Sequence, residues 1–251
     1  RDSVASRGLG DVYKRQEPYL RIKKMFDEKK FDEIIVYCQK LLVKDPKNKI
    51  ALQNISTAYN IVGGYHDAIQ SSNKILEADK TDEFALKNKM FANEKLENHD
   101  EVLKCCEQIL EKNKDDIDTL IGKGIALNKT GKHDDAISVY KQVLNIDAHN
   151  VDSLLNLAIT YNYLQKYTDA IDYYDKVQDL TQKFSNIPFE KSKAFKALGK
   201  TDDAFLAAQG LRLQEAEGIK TNAKLKNYSV QHAYELKRFN QLSKLKDNDS
   251  D

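Results

Sequence analysis

Side chains able to move protons or hold metal recur along this chain in pairs and rows. Asp32-Glu33, Asp100-Glu101, Asp134-Asp135 and Asp202-Asp203 are adjacent carboxylates, and paired carboxylates can do general acid and base work. His66, His99 and His133 form a row, and Cys38, Cys105 and Cys106 supply three thiols. Each group has a chemical reading and a plainer one, and spacing decides between them.

Every carboxylate pair opens an amphipathic segment. The first turn of a helix has free N–H groups and the positive end of the helix dipole, which favour negative charge by about 0.3 to 1 kcal/mol. A catalytic dyad repeated in four equivalent places would be odd, so helix polarity is the better account. The three histidines fall at turns of successive segments. Packed helices stand roughly 10 Å apart, too far for ligands that must all reach within about 2 Å of a zinc ion, so solvated turn histidines are expected. The cysteines are odd in number and lack metal-ligand spacing, which fits reduced thiols in a cytosolic setting. Cys38 and Cys106 also share one phase and read as small core hydrophobes. No nucleophile triad, phosphate-binding loop or HExxH-type motif is present. The expectation is a protein that is not an enzyme and holds no cofactor or metal.

The elements that carry these residues follow one period. Ile34, Ala68, Val102, Ala136, Ala170 and Ala204 stand at 34 and its multiples, and all are small or β-branched apolar residues. From Ala68 an apolar stripe runs through Ile69, Ser72, Ile75 and Leu76, and from Ala136 through Ile137, Tyr140, Val143 and Leu144, at helical spacing. Ahead of these helices lie turns such as Gly63-Gly64, Gly131-Lys132 and Gly199-Lys200, where a helix end needs a residue tolerant of positive φ. The preceding helix of each unit carries Ser56, Gly124, Ala158 or Ser192 twelve positions before the small residue of the second, so two backbones can approach closely. An unbroken period of this length with two helices per unit predicts a stacked helical solenoid.

The expected units are 17–47, 48–81, 82–115, 116–149, 150–183 and 184–217. Pro188 falls in the first turn of the sixth unit's first helix, which is expected to start near Ile187. Residues 1–16 break the pattern and resemble translated cloning-linker sequence. On that reading the native N-terminus is missing, leaving open a signal peptide or earlier repeats upstream. After Glu217 the phase ends. Residues 218–246 are expected to form a longer capping helix with the stripe Leu225, Tyr228, His232, Leu236, Phe239, Leu242 and Leu245, followed by a disordered acidic tail, 247–251.

Composition agrees with a helical, cytoplasmic protein: 251 residues, 41% hydrophobic, 31% charged, 3 prolines and no tryptophan. No apolar run approaches the roughly 20 residues needed to cross a bilayer. Gly218 to Lys246 holds 7 Lys or Arg against 1 Glu, or +6, whereas 17–217 holds 29 basic against 33 acidic residues, or −4. A basic amphipathic helix can seek anionic lipid, nucleic acid or an acidic partner. The repeats lack the domain-wide basic stripe of a nucleic-acid reader, so a solvated outer face is the plainer account.

The chain resembles the tetratricopeptide repeat (TPR) family. The resemblance is carried by Gly124 with Tyr140, by Tyr59 and Tyr161, by the six aligned residues above and by Pro46 after the second helix. The family's early tryptophan is replaced by Leu52, Leu86, Leu120 and Leu154, and the third unit departs furthest, with Met90 opposite Val102 and Glu97 in a glycine place. The resemblance implies an all-α, right-handed superhelical solenoid of six helix-turn-helix repeats plus the C-terminal capping helix, with the first helices lining a concave groove.

Asparagines recur on those first helices. Asn54, Asn88 and Asn156 form one row, and Asn60, Asn128 and Asn162 another, six positions on and about 120° round the helix. An amide carries donor and acceptor, so such a row can pair with an extended peptide backbone. Some members of the resembled family have such a ladder, and here Gly122 and Glu190 interrupt it. Plain solvation is the alternative. Phe84, Phe91, Ile121, Ile125, Leu155, Ile159 and Tyr163 read either as a partly apolar groove or as ordinary contacts between helices.

The family's carboxylate clamp for chaperone tails needs Lys and Asn at fixed phases. Neither Tyr19, Lys23, Asn54, Phe84 and Asn88 nor Gln53, Thr57, Asn88, Asp118 and Gly122 assembles a cationic pocket, which argues against that partner. The function expected is a non-enzymatic adaptor binding a peptide or protein segment. Two alternatives stand beside it: a self-assembling scaffold, or homo-oligomer, through Leu236 and Phe239 of the terminal helix, and a regulatory fragment of a larger enzyme.

Overall fold

Helix starts fall on the same grid as the apolar positions. The computed structural model describes residues 18–181 and 186–208, and among these every regular element is a helix. They are α1 (18–27), α2 (Phe31–Lys44), α3 (Lys49–Val62), α4 (Tyr65–Ala78), α5 (Glu83–Lys95), α6 (His99–Lys112), α7 (Ile117–Lys129), α8 (His133–Ile146), α9 (Val151–Tyr163), α10 (Tyr167–Leu180), α11 (Ile187–Ala197) and α12 (Thr201–Ala208). The even-numbered helices each begin 34 residues after the last, and so do α3, α5, α7 and α9. α11 begins at Ile187, with Pro188 in its first turn, where the missing N–H is harmless. The segment 1–16, the expected capping helix 218–246 with Leu236 and Phe239, and the tail 247–251 lie outside the described residues.

Both ends of the hairpins are built by local chemistry. Asn48, Asp82, Asp116 and Asn150 precede the odd-numbered helices α3, α5, α7 and α9. Their side chains accept the N–H of Ala51, Ala85, Thr119 and Ser153 at 2.9, 2.8, 2.9 and 2.9 Å. Each such cap satisfies a donor that the helix itself cannot and contributes about 1 kcal/mol. Where caps are resolved, the even-numbered helices have no side-chain cap bond. Their first turns carry the acids instead, such as Asp32 and Glu33 in α2 or Asp100 and Glu101 in α6, in accord with helix polarity.

The turn inside each hairpin is left-handed at one repeated position: Lys29, Gly63, Glu97, Gly131, Gln165 and Gly199, with φ of 56°, 85°, 58°, 79°, 59° and 73°. The residue after each donates its N–H to the carbonyl five places back, as from Gly64 to Tyr59 at 2.8 Å and from Asn98 to Asn93 at 2.9 Å, closing the helix in a Schellman motif. Glycine meets this demand in three turns, and three are made by residues that must bear the strain.

The chain forms two compact units, Arg1–Asp135 and Ala136–Asp251. In the first, α2 through α6 each pack on the next helix in sequence, and α3 also meets α5; in the second, α9 packs on α10, α10 on α11 and α11 on α12. The six aligned residues Ile34, Ala68, Val102, Ala136, Ala170 and Ala204 are all buried, none more than 1% exposed. Side chains on facing helices vary in concert. Ile22 shares a cluster with Ile34 and Cys38, Ser56 Oγ lies 2.9 Å from Ser72 Oγ, and the Met90 and Cys106 sulfurs are 3.4 Å apart. Interiors are packed to near-crystal density, so the apolar or polar character of one partner must suit the other. The result is an all-α solenoid of helix-turn-helix repeats. Among the described residues no helix is long and apolar enough to cross a membrane.

Candidate peptide-binding face

In the unit Arg1–Asp135, helices α3, α5 and α7 bury one stripe and leave another outside. The caps place Leu52, Leu86 and Leu120 inward, at most 2% exposed. Two residues before each leucine, the chain points away from the core: Ile50 is 44% exposed and Phe84 is 44% exposed. Farther along, Phe91 and Ile61 are also exposed, and Ile125 is half-buried. The Lys95 ammonium lies 5.1 Å from the centre of the Phe91 ring. In the unit Ala136–Asp251, Ile159 and Tyr163 lie one turn apart on α9 and are both exposed, as is Phe189 on α11. Phe189 was not among the residues expected there, although it stands one unit after Leu155.

The asparagines are spent largely on the protein itself. Asn54, Asn88 and Asn156, all half-buried, donate their Nδ2 to the carbonyls of Ile50, Phe84 and Asp152 in their own helices, at 2.7, 3.2 and 2.8 Å. Asn60 is only 7% exposed, and its Nδ2 donates to the backbone oxygen and to Oδ1 of Asn88, both at 3.0 Å. Thr57 Oγ1 approaches the same Oδ1 at 3.4 Å. Members of the two expected rows thus meet between α3 and α5. Asn128 Oδ1 lies 3.1 Å from His133 Nδ1 across the turn to α8, and Asn162 is half-buried at the end of α9.

Charge around the face is arranged in pairs that join neighbouring repeats. Lys49 of α3 meets the cap carboxylate Asp82 at 2.5 Å, and Lys87 of α5 meets both the cap Asp116 and Glu83 at 2.8 Å. Hydrogen bonds to Asp116 and Glu83 raise the Lys87 ammonium above its ordinary value. Burial alone would raise Asp116, but the bonds from Lys87 and Thr119 outweigh it and hold the carboxyl below the usual range. The sequence signal for these caps was available: an Asx residue recurring every 34 positions ahead of α3, α5, α7 and α9.

The other chemical candidates stay apart. All three cysteines are buried, and desolvation pushes Cys38 and Cys106 up to about 12 and Cys105 up to about 11, so they remain thiols at neutral pH. Among the described residues no three of His, Cys, Asp and Glu converge as a metal site would require. A cleft of about 340 Å³ lies beside Pro46, Lys49, Leu52 and Lys74. Another, of about 450 Å³, lies beside Ala148, His149, Leu154 and Lys176 three repeats on. Neither contains a residue of the apolar face.

Residues 97–210 match the family model described as the N-terminal TPR repeats region of Psidin. The fold is similar to that of MamA, with 23% identity and a TM-score of 0.60 over 63% of this chain and 93% of MamA. PilW, a type IV pilus biogenesis factor, aligns at 18% identity and a TM-score of 0.66 over 84% of this chain and 94% of its own. The repeats have the tetratricopeptide repeat fold. A further TPR structure, YrrB, which is described as having an unusual peptide-binding site, aligns at 19% identity and a TM-score of 0.62 over 72% of this chain and 96% of its own. No curated protein matches the sequence. At these identities the TPR likeness establishes fold, and the buried grid of six small or β-branched residues explains it.

Proposed function

We propose that this TPR chain is a non-enzymatic adaptor that takes a peptide or protein segment on exposed apolar residues of the odd-numbered helices, α3 and α5 in the unit Arg1–Asp135 and α9 and α11 in the unit Ala136–Asp251, each unit taken by itself. One observation carries the reading: Ile50, Ile61, Phe84 and Phe91 of α3 and α5, and Ile159, Tyr163 and Phe189 of α9 and α11, remain outside the core although each helix has buried another stripe. Clustered exposed apolar side chains on a folded scaffold mark interaction surfaces more often than chance exposure does. The peptide-binding site noted for YrrB, a protein of the same fold, supports the reading by analogy.

Recognition here rests on apolar anchors more than on an amide ladder. Asn88 accepts from Asn60, Asn54 and Asn156 each donate Nδ2 to their own helix, and Asn128 Oδ1 meets His133 Nδ1. A preformed surface spares the complex the ordering entropy of one partner, so modest contacts from several repeats add up to useful affinity. No bond is made or broken.

The test is a matched pair of measurements on the full chain. Partners are captured from extract and identified by mass spectrometry, and the affinity of a purified one is compared between wild type and Phe84→Ala/Phe91→Ala. The expected result is at least a tenfold loss of affinity with an unchanged circular dichroism spectrum and melting temperature. Affinity within twofold of wild type, repeated for Ile159→Ala/Tyr163→Ala, would remove the face from consideration.

A further inference from the structure

Helix α11 departs from the other odd-numbered helices in three ways, all within the unit Ala136–Asp251. The side chain before α11, Asn186, makes no cap bond, and its backbone is already in the right-handed region at φ −85° and ψ −15°. The caps Asn48, Asp82, Asp116 and Asn150 of the other odd-numbered helices are extended and bonded. α11 begins 36 residues after α9 and has 11 residues where α9 has 13. Finally, the place held in α9 by Leu157, 0% exposed, is held in α11 by Lys191, 3% exposed. Its ammonium is bonded to Asp175 Oδ1 and, at 2.8 Å, to Gln178 Oε1, both on α10.

A buried ammonium is a poor substitute for leucine in an interface. Its desolvation offsets most of the attraction it gains, and apolar replacement of buried ion pairs is often neutral or stabilising. The partner carboxylate is less affected, since the Asp175 side chain is 37% exposed while that of Lys191 is 4% exposed. Separation would rehydrate the lysine, the more deeply buried member of the pair. We propose that the packing of α11 on α10 around Lys191 is a built-in opening point, at which the hairpin α11–α12 leaves α10 while α9–α10 stays folded. Local openings of this kind occur in repeat proteins because each unit is held only by its neighbours. If the apolar face binds as proposed above, opening withdraws Phe189 from it; the measurement below stands whether or not that face binds.

Hydrogen exchange by mass spectrometry on the full chain tests the opening. In wild type the amides of α11–α12 should exchange at least tenfold faster than those of α9–α10. A difference in exchange does not by itself name its cause, so two variants isolate the contribution of Lys191. Lys191→Met, which restores the apolar character of Leu157, should slow exchange in α11–α12 about tenfold and leave α9–α10 unchanged. Asp175→Asn, which removes the charge paired with the buried ammonium and leaves Gln178 as acceptor, should quicken it in α11–α12 by a similar factor. Equal exchange of the two hairpins in wild type, or no slowing in Lys191→Met, would overturn the proposal.

Discussion

The Asn60 amide spans consecutive repeats, its Nδ2 held at 3.0 Å from both the backbone oxygen and Oδ1 of Asn88. The two residues sit on α3 and α5, 28 positions apart, six short of a full repeat. That offset lets the last turn of one odd-numbered helix reach the middle of the next. The bond is structural, so Asn60→Ala should lower stability by about 1 to 2 kcal/mol through loss of two hydrogen bonds and some packing. Urea unfolding should show a lower midpoint. An unchanged midpoint would mean that Asn88 is satisfied as well by water.

The amide ladder can be tested directly. Replacing Asn54, Asn88 and Asn156 together by alanine should lower stability through Asn88 and weaken a captured partner by less than Phe84→Ala/Phe91→Ala does. Isothermal titration decides the order of the two effects. A larger loss from the asparagines would restore the ladder as the main mode of recognition.

The left-handed turns invite the opposite kind of change. Glu97 and Gln165 hold φ of 58° and 59°, a conformation that costs a side chain with a Cβ about 1 to 2 kcal/mol and glycine almost nothing. Part of that gain is returned as unfolded-state entropy. Glu97→Gly should therefore stabilise by roughly 0.5 to 1 kcal/mol, and Gly131→Ala, where φ is 79°, should destabilise by about 1 kcal/mol. Denaturant midpoints should move in opposite directions with similar slopes.

Asp116 predicts a pH effect of defined sign. Its carboxyl is lower in the folded chain than in the unfolded one, against the opposing pull of burial, because Lys87 and Thr119 bond to the ionised form. The stability this contributes is fully present above the unfolded value of about 3.9 and is lost as pH falls through the lower folded value. Asp116→Asn keeps a cap but not the charge. Its deficit relative to wild type should therefore be visible in urea at pH 7 and shrink progressively as pH falls below about 3.9.

Ser56 and Ser72 form a closed pair inside the α3–α4 hairpin, both 0% exposed. Ser72→Ala leaves a buried hydroxyl without its partner and should cost about 1 to 3 kcal/mol, whereas Ser56→Ala/Ser72→Ala removes both and should cost less than either single change. A double-mutant cycle at equilibrium reads the coupling. Additive effects would show that the 2.9 Å contact contributes nothing.

Much of the fold is readable from residue phase alone. The buried position of Ile34 and its five equivalents, the start of α11 at Ile187 and the acids in the first turns of the even-numbered helices all follow from local rules of helix geometry and capping. Such rules act within a few residues, and an unbroken period of 34 repeats them without drift. Phase alone left Phe84, Phe91, Ile159 and Tyr163 open between a groove and contacts between helices, and their exposure is a result of how the helices pack.

Phase does not say which polar groups will consume one another. Asn60 and Asn88 occupy separate rows in the sequence, and only the packing of α3 beside α5 brings them to 3.0 Å. Lys191 looks like any other charged residue until α10 covers it. A hydrogen bond needs placement to a few tenths of an ångström, and that placement depends on the distance and crossing of two helices, which no single helix encodes. Sequence period determined the helices and their buried stripes; the meeting of helix with helix decided which exposed-looking amides and amines were bonded within the protein.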